Sequence, residues 1–261
     1  MKSEKTFDNL LEEVVSRVGV KQFEALPIEV LKNSNAPSIK YILAKKLFRD
    51  QKLQDALNVL NGTIPKKHPT KPFALMLEAS IHALMGKNLD AASAYKECID
   101  SSPSAISDAS SVEEKRQLSI NRDYCIVGIP RVQFADGKFD QAELNYLDLP
   151  KSSYIWPEIL FEEAWNSFYR RDYNRTLGKL VTYKAPVLSF IFNPEVDVLR
   201  AMSYLELCLW EDAKKEVDSF YNSYSEDGQL LDNLITQKGK DYKYFFLLAK
   251  SAVDGRERAN S

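Results

Sequence analysis

Apolar side chains recur along this chain at helical spacing. Ile39, Leu43 and Leu47 step by four residues, and Leu53, Ala56, Leu57 and Leu60 then step by three, one and three. Each run draws one stripe down a helix, and the interruption between them separates two helices. The stretch SSYIWPEILFEEAWNSFYRRDYNRTLGKL follows the same plan. Pro157 stands at a first helical position, where a missing N–H costs nothing, and acidic residues follow where the helix dipole favours them. Ile159, Leu160, Ala164 and Phe168 mark the buried side, Arg-Arg-Asp makes the connection, and Tyr173, Leu177 and Leu180 carry the return helix. Pro194, Val198, Ala201 and Leu205, then Trp210, Ala213, Val217 and Phe220, give another pair. No run alternates valine, isoleucine and threonine with polar residues for long, and glycine is scarce at nine residues, so the expected class is all-α.

Short echoes set the register of these pairs: GKNLDA from Gly86, GKFDQA from Gly137, RDYNRT from Arg171 and LWEDA from Leu209. Aligned on the small residue that closes each echo, Ala56, Ala91, Ala142, Thr176 and Ala213 lie 35, 51, 34 and 37 residues apart. A period near 34 belongs to units of two antiparallel helices, none of which buries its apolar face without a neighbour. The single long interval marks an insertion near 104–123, SSPSAISDASSVEEKRQLSINRDY, expected as a serine-rich surface turn leading into an extended helix that Pro130 kinks.

These positions resemble the tetratricopeptide repeat, with a small residue midway along the first helix, Gly-x-aromatic at the turn, alanine early in the second helix and proline at the end. Ala79, Gly86, Ala91, Tyr95 and Pro103 carry the pattern in the second unit. Ala44, Ala164 and Ala201 fill the first small position elsewhere, while Pro130, Thr176, Arg171 and Cys208 depart from the pattern. The resemblance covers residues 36–224 and implies a right-handed α-solenoid of about five helix pairs. Residues 1–35 are expected to form an N-terminal helical cap, with Phe7, Leu10, Leu11, Val14, Val15 and Val18, then Phe23, Leu26, Val30 and Leu31, as its apolar patterns. GQLLDNLITQKG and DYKYFFLLAKSAV, within 225–261, are expected as a C-terminal helical cap, and DGRERANS as a frayed tail. The run from GIPRVQFADGKFDQAELNYLDLP to NPEVDVLRAMSYLELCLWEDAKKEVDSF is further similar to envelope-associated tetratricopeptide proteins of gliding and predatory bacteria. That likeness implies an exported assembly scaffold, often longer than this chain, and a periplasmic or envelope location with any signal absent from it; the alternative is cytoplasmic.

Composition narrows the chemistry. Thirty-five basic against thirty-seven acidic side chains leave a formal charge of −2, with no positive excess to hold nucleic acid phosphates. No stretch approaches the ~18 apolar residues of a transmembrane helix. Cys98, Cys125 and Cys208 are odd in number and far apart, which indicates neither a zinc site nor a disulfide framework and leaves them as small buried hydrophobes. His68 and His82 share no ligand spacing, the glycines form no phosphate-binding motif, and no serine sits in a nucleophile motif, so neither enzyme chemistry nor a metal, cofactor or small-molecule substrate is expected. Glu162 and Glu163 are adjacent on a helix, point to different faces, and do not make an acid–base pair, one of them being expected in solvent.

What remains is a binding surface. In this repeat family the first helices of successive units line a concave groove, which assigns partner contacts to Tyr41, Lys45, Arg131, Phe161, Trp165 and Met202. Arginine and tryptophan are frequent interface anchors. Phe134, Phe168 and Leu205 also fall on that side but are expected to pack between units. The resemblance implies a non-enzymatic scaffold that takes a protein or peptide partner in the groove, or alternatively a self-assembling structural component of an envelope complex. The same register places Ala142 against the neighbouring helix and Glu143 toward solvent.

Overall fold

A computed structural model describes residues 2–183, 185–188, 191–239 and 241–259. Among the described residues every regular element is helical, and no helix is long and apolar enough to cross a membrane. The chain falls into two compact units, Met1–Thr182 and Tyr183–Ser261.

The first unit opens with α1 (Lys2–Val18), α2 (Val20–Phe23) and α3 (Ile28–Lys32), followed by four antiparallel pairs. These are α4 (Pro37–Arg49) with α5 (Leu53–Leu60), α6 (Lys71–Leu84) with α7 (Asn88–Asp108), α8 (Val112–Ala135) with α9 (Phe139–Tyr146), and α10 (Trp156–Tyr169) with α11 (Tyr173–Tyr183). Pro37, Pro72 and Pro157 lie in the first turns of α4, α6 and α10, where proline's fixed φ is already helical. The second unit holds α12 (Glu195–Glu206), α13 (Trp210–Lys238) and α14 (Tyr242–Ala259).

Among the described residues, the turns within these four pairs and the turn from α12 to α13 are built alike. Gln51, Gly86, Gly137, Arg171 and Cys208 have left-handed backbones with φ of 61°, 72°, 73°, 61° and 58°. Each is flanked by the two backbone bonds of a Schellman cap, such as Gly137 N to Phe134 O at 2.9 Å and Lys138 N to Gln133 O at 2.8 Å. The residue that ends the cap accepts the first bond of the return helix, as Lys138 O does from Ala142 N at 3.0 Å. Only glycine adopts this conformation without steric cost, yet three of the five positions carry a side chain, at about 1–2 kcal/mol each. Five residues beyond each turn stand the register marks Ala56, Ala91, Ala142, Thr176 and Ala213, all at most 3% exposed.

The core of the first unit passes from pair to pair. Ile39, Ile42, Leu47, Ala56 and Leu60 meet Ala74 and Ile81 of the next pair, and Val15 and Leu31 join them from α1 and α3. Leu75, Ala79, Ala91, Tyr95 and Val132 form a second cluster, and Val127, Ala142, Tyr146 and Ile159 a third. Of the apolar residues of α1, Val15 is buried and Leu11 packs on the first core, whereas Phe7, Leu10, Val14 and Val18 stay exposed. Polar bonds also hold α1 in place. Glu12 accepts from Ser38 N (2.6 Å) and Ser38 Oγ (2.8 Å) in the first turn of α4, where the helix dipole favours an anion.

Three expectations are corrected here. The inserted segment is not a serine-rich surface loop, because α7 continues through Pro103 to Asp108 and α8 starts again at Val112, so the added residues lengthen both helices. Cys98 and Cys125 are joined by a disulfide, with Cα atoms 6.2 Å apart and both residues fully buried, while Cys208 is a free, exposed thiol. One helical turn from the bridge, the two helices are so close that a Cβ on Gly128 would lie 2.4 Å from the Tyr95 ring. Gly128 thus leaves room on α8 for the Tyr95 ring of α7. Third, Glu143 is 6% exposed rather than solvated. It accepts from Asn166 Nδ2 at 3.2 Å and pairs with Arg175 at 2.5 Å and Lys179 at 3.1 Å, while Lys179 reaches on to Glu163 at 3.0 Å. The short α9 is packed on two sides, so the residue beside the Ala142 anchor is also interior.

GQLLDNLITQK does not form a helix of its own but continues α13, and α14 runs on to Ala259 through most of the segment expected as a frayed tail. Asn260 and Ser261 lie outside the described residues.

Candidate aromatic docking site

The richest surface constellation lies on α8, α9 and α10. Along α10, Glu158, Phe161, Glu162, Trp165, Phe168 and Tyr169 recur at steps of three and four, which aligns them on one face. Arg131 and Phe134, one turn apart on α8, meet that face, and Phe139 and Tyr146 approach it from the two ends of α9. The rings form a continuous set. Trp165 stands 6.4 Å from Phe161, 5.8 Å from Phe168 and 6.0 Å from Tyr169, and Tyr169 stacks on Phe139 at 5.5 Å and meets Phe134 edge-on at 5.3 Å. Such offset and edge-on contacts add about 0.5–1.5 kcal/mol per pair beyond area burial. Tyr169 remains 53% exposed.

Arg131, Phe134, Tyr146, Glu162, Trp165 and Tyr169 line an open cavity of about 430 Å³. Its charges are arranged around Arg131. The guanidinium gives Nε (2.9 Å) and Nη2 (2.6 Å) to the two oxygens of Glu162 and Nη2 again to Glu158 at 3.1 Å. Tyr146 donates to Glu162 at 3.3 Å and Tyr124 to Glu158 at 3.4 Å. Burial works against the Arg131 cation, but Glu162 and then Glu158 outweigh it and hold its pKa above the ordinary arginine value. Burial, reinforced by the Glu162 charge, likewise raises the Tyr146 phenol and keeps it a donor. Glu162 and Glu163 do point to different faces, toward Arg131 and Lys179, and neither is left in open solvent.

Of the groove candidates, Arg131, Phe161 and Trp165 come together here. Tyr41 and Lys45 are elsewhere, on α4. Tyr41 packs on the first core 6.5 Å from Phe73, and burial pushes its hydroxyl up to about 12. Lys45 pairs at 2.5 Å with Glu24, the residue that ends α2, which also takes Arg49 at 2.7 Å. Met202 lies on α12 in the second unit, 36% exposed. Of the three residues expected to pack between units, Phe134 meets Phe139 of its own pair at 5.3 Å and Tyr169 of the next pair at 5.3 Å, Phe168 meets Tyr173 of its own pair at 5.4 Å, and Leu205 is 45% exposed. Tyr146, Glu158, Glu162 and Tyr169 escaped sequence reasoning as members of the site. The four-residue steps from Glu158 to Glu162 and from Trp165 to Tyr169 were the available signal.

A larger cavity of about 720 Å³ borders α10 and α11, with Trp156, Leu160, Glu163, Arg175 and Lys179 among its lining residues. It sits beside the loop after Tyr146, with Leu147, Leu149 and Pro150 also lining it. His68 Nε2 lies 3.3 Å from Glu12, and its Nδ1 accepts from Thr70 N at 3.2 Å. Among the described residues no group of three or more His, Cys, Asp and Glu is placed to hold a metal ion.

No family model and no curated protein matches this sequence. Among solved structures, the chain is similar to the C-terminal part of a TPR repeat-containing protein from Cytophaga hutchinsonii. The two are 14% identical with a TM-score of 0.62, over 93% of this chain and 89% of that one. A tetratricopeptide repeat protein from Parabacteroides merdae is 16% identical with a TM-score of 0.38, over 90% of this chain and 98% of that one. The first likeness, together with five Schellman turns in one register, identifies the architecture as the all-helical repeat fold of the tetratricopeptide repeat proteins.

Proposed function

We propose that this chain is a non-enzymatic scaffold that receives a segment of a partner protein, with the aromatic cavity of α8, α9 and α10 as its anchor point. One observation carries the reading: a partly exposed aromatic wall, centred on Trp165 and Tyr169, surrounds a cavity whose internal ion pair is already satisfied. Tyrosine and tryptophan lose little conformational entropy on binding and dominate interface energetics. The buried Cys98–Cys125 disulfide supports an oxidising compartment, which agrees with the periplasmic or envelope location implied by the sequence resemblance. Site-specific photocrosslinking in the native cell tests the proposal. A crosslinker replacing Tyr169 captures a discrete partner that Trp165→Ala abolishes, whereas one replacing Val112, 85% exposed on α8, captures none. Equal capture from both positions, or capture unaffected by Trp165→Ala, refutes it.

A second reading, a self-assembling structural component, is favoured by the apolar side chains on α13 and α14. Leu230, Leu231, Ile235, Phe246 and Leu247 are all more than half exposed, a larger apolar display than isolated surface residues make. Sedimentation equilibrium decides it: concentration-dependent association that Leu231→Lys with Ile235→Lys abolishes supports self-assembly, and a monomer at all concentrations excludes it.

A further inference from the structure

We infer that the aromatic cavity selects a positively charged side chain, lysine or arginine, from the partner segment. This rests on the docking reading above and assigns its chemistry. The argument is one of charge and ring faces. Arg131 supplies one positive charge against the two carboxylates of Glu158 and Glu162, so the cluster carries a formal −1. The neighbouring charges do not offset it, because Arg170 pairs with Asp140 at 2.7 Å and Lys138 with Asp136 at 2.9 Å. The walls are aromatic, and the faces of tryptophan and tyrosine are the negative ends of their quadrupoles.

An acidic guest fares badly there. The natural fork for a carboxylate, the guanidinium of Arg131, has Nε and Nη2 committed to Glu162 and Nη2 shared with Glu158, and a second anion would be placed beside both. A purely apolar guest would fill the space but leave the excess negative charge unpaired. A basic guest satisfies both features. Its aliphatic stem lies along Trp165 and Tyr169, and its charged end reaches Glu158, whose side chain is 53% exposed and is the open edge of the cluster. Arg131 then acts as a built-in competitor: it already occupies part of the anionic site and so sets how tightly an incoming cation is held.

That competition yields a test with opposite signs at neighbouring residues. The protein, labelled with 5-fluorotryptophan, is titrated by fluorine NMR with the peptides acetyl-Ser-Gly-Leu-Xaa-Leu-Gly-Ser-amide, where Xaa is arginine, norleucine or glutamate. Trp165→Phe identifies the reporting resonance among the three tryptophans. The arginine peptide moves the Trp165 signal and binds about tenfold more tightly than the norleucine peptide, and the glutamate peptide does not bind, a gap of the size that a desolvated cation–aromatic contact supports. Glu158→Gln, a half-exposed and structurally mild change, weakens the arginine peptide several-fold. Arg131→Gln strengthens it, and its circular dichroism spectrum checks that the helices are intact; should that variant not fold, Arg131→Met takes its place. Preferred binding of the norleucine or glutamate peptide at Trp165 overturns the cation assignment while leaving the docking site standing. Weakening of the arginine peptide by Arg131→Gln with the fold intact overturns it too. If no peptide moves Trp165, the docking site itself falls and the inference with it.

Discussion

Replacing Glu143 by leucine separates the packing seen in the structure from the simple two-faced picture of a surface helix. A residue on the solvent face tolerates this change within about 0.5 kcal/mol. Glu143 instead sits 6% exposed, accepting from Asn166, Arg175 and Lys179. Removing one member of a buried charge pair costs about 3–5 kcal/mol when the other is stranded. Here the stranding is partial. Lys179, 13% exposed, keeps Glu163 at 3.0 Å, and Arg175, 47% exposed, turns to water. Asn166 keeps the Phe139 carbonyl at 3.0 Å. The expected loss is therefore about 2–3 kcal/mol, partly offset by the leucine's apolar burial, for a net cost of about 2 kcal/mol. Ala142→Leu, which overpacks a fully buried position, falls in the same range of about 1–3 kcal/mol. Urea unfolding followed by far-ultraviolet circular dichroism measures both, and a cycle combining Glu143→Leu with Lys179→Met isolates the pair. The second substitution should cost less in the Glu143→Leu background, because the lysine has already lost one of its two carboxylate partners. A Glu143→Leu protein as stable as the parent, or strict additivity in the cycle, would refute the buried network.

The turns predict opposite effects from reciprocal substitutions: Arg171→Gly stabilises by up to about 1 kcal/mol and Gly137→Ala destabilises by about 1 kcal/mol, and thermal melts giving both the same sign contradict the left-handed assignment. The Cys98–Cys125 bridge spans 27 residues, for which loop closure gives about 3.5 kcal/mol. Cys98→Ala with Cys125→Ala, or reductant, should remove about that much, and intact-mass analysis after thiol alkylation finding three free thiols, rather than Cys208 alone, in the oxidised protein negates it. Stability also falls on the acid side. Burial alone would raise the Glu12 and Glu24 carboxyls, but His68 and Ser38 at Glu12, and Lys45 and Arg49 at Glu24, hold both below their ordinary 4.5. Their contribution is complete above that value and is lost as pH falls through the lower folded values. Melting temperature measured from neutral pH downward should drop less steeply in Glu12→Gln with Glu24→Gln, and an unchanged slope counts against it.

The helix pairs and their register were legible because they are local. The 35, 51, 34 and 37 spacing of the alanine marks is also the spacing of the left-handed residues from Gln51 to Cys208, although three of those five positions lack glycine. A Schellman cap is made by backbone groups, so its sequence trace is faint where the side chain departs and clear only in the small buried residue that follows, alanine in four turns and Thr176 in the other. Interactions between helices were not legible. Cys98 and Cys125 look unrelated at a separation of 27 until the insertion is seen to lengthen α7 and α8 together and return the chain to its starting level. Glu143 misled because helical periodicity marks one buried face, and a return helix wedged among neighbours has more than one. In the candidate site, the aromatic side of α10 was visible, but the closure of Arg131 on Glu162 is a meeting of residues 31 apart that no motif encodes.

The lengthened α7 and α8 also have an architectural meaning. At 1.5 Å per residue α8 runs about 36 Å where α10 runs about 21 Å, so the hairpin stands roughly 15 Å beyond the standard pair. The disulfide staples the base of this spur and encloses its tip, the short link at residues 109–111, in a covalent loop. A domain or tag spliced into that link would hang from a closed handle, and fraying of the tip would have no route past the staple into the repeats.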